Sequence, residues 1–220
     1  MVLIALKTYA AGHGNKGSLT WAPVNTVNDA LDSAFYLVFD NVEPTGKNTC
    51  LALDVSGSMS MSGYGWGSVN CSPLSPREIT AAMAMVTAKV EPNHCIVGYS
   101  HNIVLIDITK HSRLADVVAH LSSIPMGGTN CSLPFSWAAQ NKLPVEVFIS
   151  FTDNEVHSGI PHPTQALTRY REQMGIRAKS AIVACTATNF TIADPTDPLQ
   201  MDVAGFSADT PAVLAEFAKL

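Results

Sequence analysis

The stretch of sequence that decides the fold is CLALDVSGS, residues 50–58. Its first half is a continuous apolar run, which is typical of a strand buried on both faces of a parallel sheet. Asp54 ends that run, and Ser56 and Ser58 follow it. In α/β proteins, ligands bind beyond the carboxyl ends of the strands. The stretch therefore predicts a buried central strand that ends at a functional edge of the sheet.

Strand and helix signals alternate on the C-terminal side of this stretch. The segment SPRE, residues 75–78, is a capping box with proline at the first helical position. Residues 95–100 and 103–108 are predicted strands joined by a tight turn, which requires an antiparallel pair. Further strands are expected at residues 145–151, 180–185 and 201–203. We expect an α/β, doubly wound, Rossmann-like fold with a mostly parallel six-stranded sheet and helices on both faces. Residues 103–108 form its one antiparallel edge strand.

The first 45 residues carry two helical patterns. The second pattern, residues 26–39, has a broad apolar face that includes Leu31 and Phe35. We expect residues 1–45 to form a helical segment that packs on a domain spanning residues 46–220. In that arrangement Leu31 and Phe35 are expected to be fully buried.

Composition excludes several classes of protein. The chain has 220 residues and is 47% hydrophobic, which is ample for a buried core. Its net charge of -5 provides no electrostatic footprint for nucleic acid or for an anionic membrane. Five widely spaced cysteines without a C-x-x-C motif favour free thiols in a reducing compartment. No apolar stretch reaches the roughly 20 residues of a membrane span, and the N-terminus resembles a helix more than a signal peptide. We expect a cytoplasmic protein with no membrane partner.

Three polar motifs are expected to converge on one edge of the sheet: DVSGS at 54–58, GGT at 127–129 and TDNE at 152–155. The first and third follow neighbouring central strands, and the second lies in the loop before a helix. Their oxygen donors suit a hard cation such as Mg²⁺, Mn²⁺ or Ca²⁺. The candidate metal-binding residues are Asp54, Ser56, Ser58, Thr129 and Asp153.

The mixture of hydroxyls and carboxylates predicts how the ion is used. Hydroxyls of Ser56 and Ser58 add no negative charge as direct ligands. If Asp54 and Asp153 act through water, the ion stays electrophilic and attracts a carboxylate from a protein partner. Thr129 is expected to join the ion in the partner-bound state. Two preceding glycines are expected to let its loop move at little steric cost.

The same motifs resemble the metal-ion-dependent adhesion site (MIDAS) of von Willebrand factor A (vWA) domains. Four longer segments resemble the C-terminal part of the Ro ribonucleoprotein, or TROVE, family. They are PMGGTNCSLP at 125–134, VFISFTDNE at 147–155, FTIADP at 190–195 and DVAGF at 202–206. The resemblance spans essentially the whole chain. It implies a vWA fold and a metal-dependent protein-interaction module rather than an enzyme.

That family carries a ring of helical repeats that binds RNA, and nearly all of the ring is missing from this chain. The chain is therefore either a stand-alone relative or a piece of a longer protein. An RNA contact through Lys7, His13 and Lys16 is an alternative function, although solvent exposure is favoured for these residues. We expect no tight binding of structured RNA. A further alternative is a Mg²⁺-dependent hydrolase that uses the same ion to activate water.

Two more residues near the motifs have alternative interpretations. Glu155 is a candidate ligand, but a solvated loop charge is favoured. Cys131 follows the GGT motif at the start of a helix, where a thiol pKa can be lowered. A structural thiol is favoured there.

Overall fold

The structure is a computed structural model that describes residues 2–14, 17–60, 74–125, 127–153, 161–185, 192–205, 207 and 209–220. The α-helices in these residues are α1 (Val2–Ala11), α2 (Asn25–Leu37), α3 (Pro76–Val90), α4 (Leu114–Ser123), α5 (Leu133–Gln140), α6 (Pro163–Met174) and α7 (Thr210–Lys219). The strands are β1 (Thr49–Asp54), β2 (His94–Tyr99), β3 (Ile103–Leu105), β4 (Val147–Thr152), β5 (Lys179–Ala184) and β6 (Gln200–Ala204). Short 3-10 helices span Val38–Asn41 and Gly57–Ser60. No helix among the described residues has both the length and the apolar character to cross a bilayer.

The six strands form one sheet in the order β3-β2-β1-β4-β5-β6. All neighbouring pairs are parallel except β2 and β3, which are antiparallel. The predicted mixed sheet and its antiparallel edge are therefore confirmed. The edge strand is shorter than expected and ends at Leu105, although the N–H of Ile106 still donates to the carbonyl of Ile96 at 2.9 Å.

The strand order reverses between β1 and β4, which are neighbours in the sheet but distant in sequence. From β1 the chain proceeds to β2 on one side, and from β4 it proceeds to β5 on the other. Leu53 is paired with Phe151, so β1 and β4 end side by side. A reversal of this kind leaves a crevice at the carboxyl ends of the two strands, where α/β proteins bind ligands.

Helices cover both faces of the sheet, as expected. Alternate residues of β1 enter two separate apolar clusters: Leu51 and Leu53 enter one, and Cys50 and Ala52 enter the other. The first cluster includes side chains from α1, α2, α3, α4 and α7, and the second includes side chains from α5 and α6. This arrangement explains why β1 is apolar at every position before Asp54 except its first.

The N-terminal helices contact the first of these clusters. Phe35 is only 5% exposed and packs edge-to-face against Phe39, with ring centroids 4.9 Å apart. Leu31, in contrast, is only partly buried, so the expectation that both side chains are fully buried was wrong for Leu31. The helix continues into the 3-10 turn Val38–Asn41, which brings Phe39 inward and concentrates burial at the C-terminal end. The division of the chain at residue 45 stays a prediction.

Polar contacts also join this segment to the sheet domain. Lys7 forms an ion pair with Glu78 at the start of α3. The hydroxyl of Tyr36 accepts from the N–H of Leu114, which begins α4, at 3.1 Å.

Gly12, which follows α1, has a φ of 73°, and a Cβ there would lie 2.9 Å from the carbonyl oxygen of Trp21. Glycine is therefore required at the turn between α1 and α2.

Phe35→Ala tests how firmly the N-terminal segment is packed. We expect the free energy of unfolding to fall by about 3 kcal/mol, because truncation of a buried phenylalanine leaves a cavity. Leu37→Ala is the matched control in the same helix, since Leu37 is 67% exposed, and we expect a change within about 0.5 kcal/mol. Urea denaturation measures both. Equal effects of the two substitutions would show that the segment is only loosely attached.

Candidate metal site

The loop after β1 is organised around the carboxylate of Asp54, which is 2% exposed. The N–H of Ser56 donates to Asp54 Oδ1 at 2.8 Å. The 3-10 turn Gly57–Ser60 then folds the chain back, so that the hydroxyl oxygens of Ser56 and Ser58 lie 3.1 Å apart. Three of the candidate residues are thus brought into one cluster of oxygen atoms.

The end of β4 contributes the other half of this cluster. The hydroxyl of Thr152 donates to Asp54 Oδ2 at 2.9 Å. Burial is the main reason that the pKa of Asp54 is raised to about 6, and the neighbouring charge of Asp153 adds to the rise. Hydrogen bonds from Ser56 and Thr152 act in the opposite direction. Because Asp153 is buried as well, two carboxyl groups share a poorly solvated site that a cation would stabilise.

The GGT motif lies beside the end of β2, the strand next to β1. Thr129 is 1% exposed, and its loop follows α4 and contacts the turn between β2 and β3. The N–H of Asn130 donates to the carbonyl of Ser100 at 3.1 Å. The structure therefore places the Thr129 loop at the same edge of the sheet as Asp54. Glu155, the fourth residue of TDNE, lies outside the described residues.

A buried arginine supports the loop from behind. Arg77 is 2% exposed, and its guanidinium donates to the carbonyls of Ser56 at 2.9 Å, Val55 at 3.3 Å and Leu121 at 3.2 Å. Burial lowers the pKa of Arg77, while the charge of Asp54 opposes that shift. The sequence reasoning missed this residue. The sequence holds one indication of its role. A cation in the first turn of α3 interacts unfavourably with the helix dipole, so an arginine there suggests that its side chain binds groups outside the helix.

Cys131 is a structural thiol. Its Sγ lies 3.7 Å from the hydroxyl oxygen of Tyr99 in the interior. Burial raises the pKa of Cys131 to about 12, and the charges of Asp54 and Asp153 contribute to the rise. The alternative of a lowered pKa at a helix start was wrong, because α5 begins only at Leu133 and the thiol is enclosed.

The described cysteines are all free, namely Cys50, Cys95, Cys131 and Cys185. This agrees with the free thiols expected from the spacing. The cytoplasmic location inferred from them stays a prediction.

Within the described part of the chain, no group of three or more histidine, cysteine, aspartate or glutamate side chains is arranged to hold a metal. The candidate site instead combines hydroxyls with two carboxylates.

Comparison with known proteins places the chain in a family. Residues 48–218 match the Ro60 vWA domain. The chain belongs to the Ro60 vWA domain family. The resemblance inferred from the motifs is thereby confirmed, and so is the Rossmann-like vWA fold.

Relatives of this Ro60 vWA chain are named RNA-binding protein RO60. The chain is 40% identical over 217 residues to the relative from Caenorhabditis elegans. That match covers 98% of this chain and 33% of the relative. It is 41% identical over 218 residues to the relative from Deinococcus radiodurans, covering 99% of this chain and 40% of the relative. The crystal structure of the Deinococcus radiodurans Ro protein superposes with a TM-score of 0.89 at 40% identity, over 99% of this chain and 43% of that one. The chain thus spans about a third to two fifths of the length of these proteins.

Arg77→Ala tests the support that this arginine gives to the loop after β1. We expect the free energy of unfolding to fall by about 3 kcal/mol, because the substitution leaves buried carbonyls without a charged donor. Arg113→Ala is the control, since its ion pair with Asp32 is exposed and is expected to contribute less than about 1 kcal/mol. Urea denaturation of the two variants measures the difference. An Arg77→Ala protein as stable as Arg113→Ala would contradict the supporting role.

Proposed function

We propose that this Ro60 vWA domain is a metal-dependent protein-interaction module with a MIDAS-type site. The site binds one Mg²⁺, for which Mn²⁺ or Ca²⁺ can substitute. Its residues are Asp54, Ser56, Ser58, Thr129 and Asp153. The observation that carries the proposal is the pair of buried carboxyl groups at the adjoining ends of β1 and β4, next to two serine hydroxyls. A divalent cation offsets the repulsion between these groups, and oxygen ligands suit it.

The residues have different roles in this proposal. Ser56 and Ser58 ligate the ion directly, whereas Asp54 and Asp153 act through ordered water. Asp54 is suited to this role because both of its oxygens already accept hydrogen bonds, one from Ser56 and one from Thr152. Neutral direct ligands leave the ion with net positive charge. That charge attracts a carboxylate from a protein partner, and Thr129 completes the site when the partner is bound.

A binding role is favoured over the alternative of a hydrolase. Metal-assisted hydrolysis needs a base within reach of the attacking water. Asp54 and Asp153 are the acidic residues of the three motifs within the described part of the chain, and both are taken up by the ion. We therefore propose that the domain is not an enzyme.

Asp54→Asn tests the metal site. Asparagine keeps an oxygen that can accept from Ser56 but removes the charge, so we expect the fold to survive and Mn²⁺ affinity to fall about tenfold or more. Calorimetric titration with Mn²⁺ and with Mg²⁺ measures the affinity, and Asp107→Asn, which removes an exposed carboxylate from the loop after β3, is the control. If Asp54→Asn binds Mn²⁺ as tightly as the parent, the ion does not bind here.

The partner chemistry is tested on the same proteins with a labelled acidic peptide. We expect fluorescence anisotropy to detect binding of an aspartate-containing peptide in Mg²⁺ and not in EDTA, and to detect none for its asparagine counterpart. Thr129→Ala is expected to weaken peptide binding more than it weakens metal binding. Peptide binding that persists in EDTA would refute the carboxylate–metal contact.

Direct binding of structured RNA by this chain alone is expected to be weak, although its relatives carry the name RNA-binding protein. The chain spans only part of those proteins, and its net charge is -5. Of the three residues considered for an RNA contact, Lys7 forms an ion pair with Glu78 and His13 is exposed. Lys16 lies outside the described residues.

A gel-shift titration with structured RNA at about 0.15 M salt tests this expectation, because binding through phosphates depends on ionic strength. We expect no complex at nanomolar concentrations. A nanomolar complex that is lost in Lys7→Ala but kept in Lys110→Ala, which removes an exposed cation elsewhere, would overturn it.

A further inference from the structure

The loop that carries Thr129 is held on both sides by the turn between β2 and β3. The N–H of Gly128 donates to His101 Nε2 at 2.9 Å, and the N–H of Asn130 donates to the carbonyl of Ser100 at 3.1 Å. These two contacts bracket Thr129 in the sequence. A residue flanked by two fixed backbone groups has little freedom to shift without breaking one of them.

The imidazole ring of His101 also explains the two glycines of the loop. A Cβ on Gly127 would lie 2.4 Å from His101 Cδ2, and a Cβ on Gly128 would lie 2.9 Å from His101 Cε1. Neither glycine adopts a left-handed φ. Glycine is therefore needed here because the ring packs directly against the backbone, and not because of an unusual backbone conformation.

We propose that His101 is a positioning residue that fixes the loop of Thr129 for the metal site. The ring acts through the Gly128 hydrogen bond and through its packing on both glycines, while Ser100 holds the far side of the loop. The ring is exposed, so solvent reaches this contact more easily than it reaches the buried contacts around Asp54. The effect on metal-dependent peptide binding rests on the proposed function, whereas the effect on the loop does not.

Hydrogen exchange of metal-free protein tests the contact between His101 and the loop. We expect amides of residues 128–130 to exchange about three- to tenfold faster in His101→Ala, which corresponds to the loss of one hydrogen bond. His101→Gln is expected to restore slow exchange, because its amide oxygen can accept from Gly128. His111→Ala, which removes an exposed histidine from the loop before α4, is the control and should leave exchange unchanged.

Gly127→Ala provides a second, independent variant. Its added methyl group is expected to displace the exposed ring, so it should resemble His101→Ala. The double variant His101→Ala/Gly127→Ala should then exchange no faster than either single variant. Unchanged exchange in both single variants would overturn the proposal.

Fluorescence anisotropy of the labelled aspartate-containing peptide in Mn²⁺ then tests the consequence for Thr129. We expect His101→Ala to weaken peptide binding about three- to tenfold and His101→Gln to restore it. In a Thr129→Ala background, His101→Ala should have little further effect, since the histidine acts through Thr129. Equal peptide affinity of His101→Ala and the parent would refute the positioning role. Accelerated exchange in a protein whose parent binds no Mn²⁺ would instead support the loop contact and contradict the metal proposal.

Discussion

The burial of one carboxylate at the end of the central strand determines the shape of this edge of the molecule. Asp54 is almost inaccessible to water, so both of its oxygens must find donors within the protein. One donor is the backbone of Ser56 in the loop that follows, and the other is the hydroxyl of Thr152 on the neighbouring strand. The same carboxylate therefore bends its own loop back and ties β1 to the end of β4. Arg77 completes the arrangement, because its guanidinium donates hydrogen bonds to the carbonyls of Val55 and Ser56, which the bent loop turns inward.

Much of this arrangement was predictable from local pattern. A buried parallel strand is apolar at nearly every position, so the polar residue that ends it is conspicuous in the sequence. The antiparallel edge followed from the short turn after Tyr99, because a connection of that length cannot form a parallel pair. Asp54, Ser56 and Ser58 were grouped because they lie two residues apart on one loop, and the structure brings them into contact. Such features depend only on neighbours in the chain.

The features that escaped prediction depend on contacts between distant segments. Arg77 reaches the carbonyl of Leu121, and His101 accepts from Gly128, but no spacing in the sequence indicates either pair. The partial exposure of Leu31 has the same origin. An amphipathic pattern predicts which face of a helix is apolar, but it does not predict how far along the helix the neighbouring elements extend. Side chains at an end of the buried stripe can therefore remain exposed.

The anchors of the two loops differ in their exposure to solvent. The Asp54 loop is held by contacts that are themselves buried, above all those of Arg77, so releasing it would leave unsatisfied polar groups in the interior. The Thr129 loop is held on one side by an exposed imidazole, whose hydrogen bond water can replace. Loss of the histidine contact alone is therefore expected to cost less than loss of an Arg77 contact, because water can accept from the freed N–H of Gly128. The two glycines allow the imidazole ring to approach the backbone, and the movement of the loop that was expected from them stays a prediction. His101 thus holds the loop of Thr129 from the surface of the molecule, whereas Arg77 holds the loop of Asp54 from the interior.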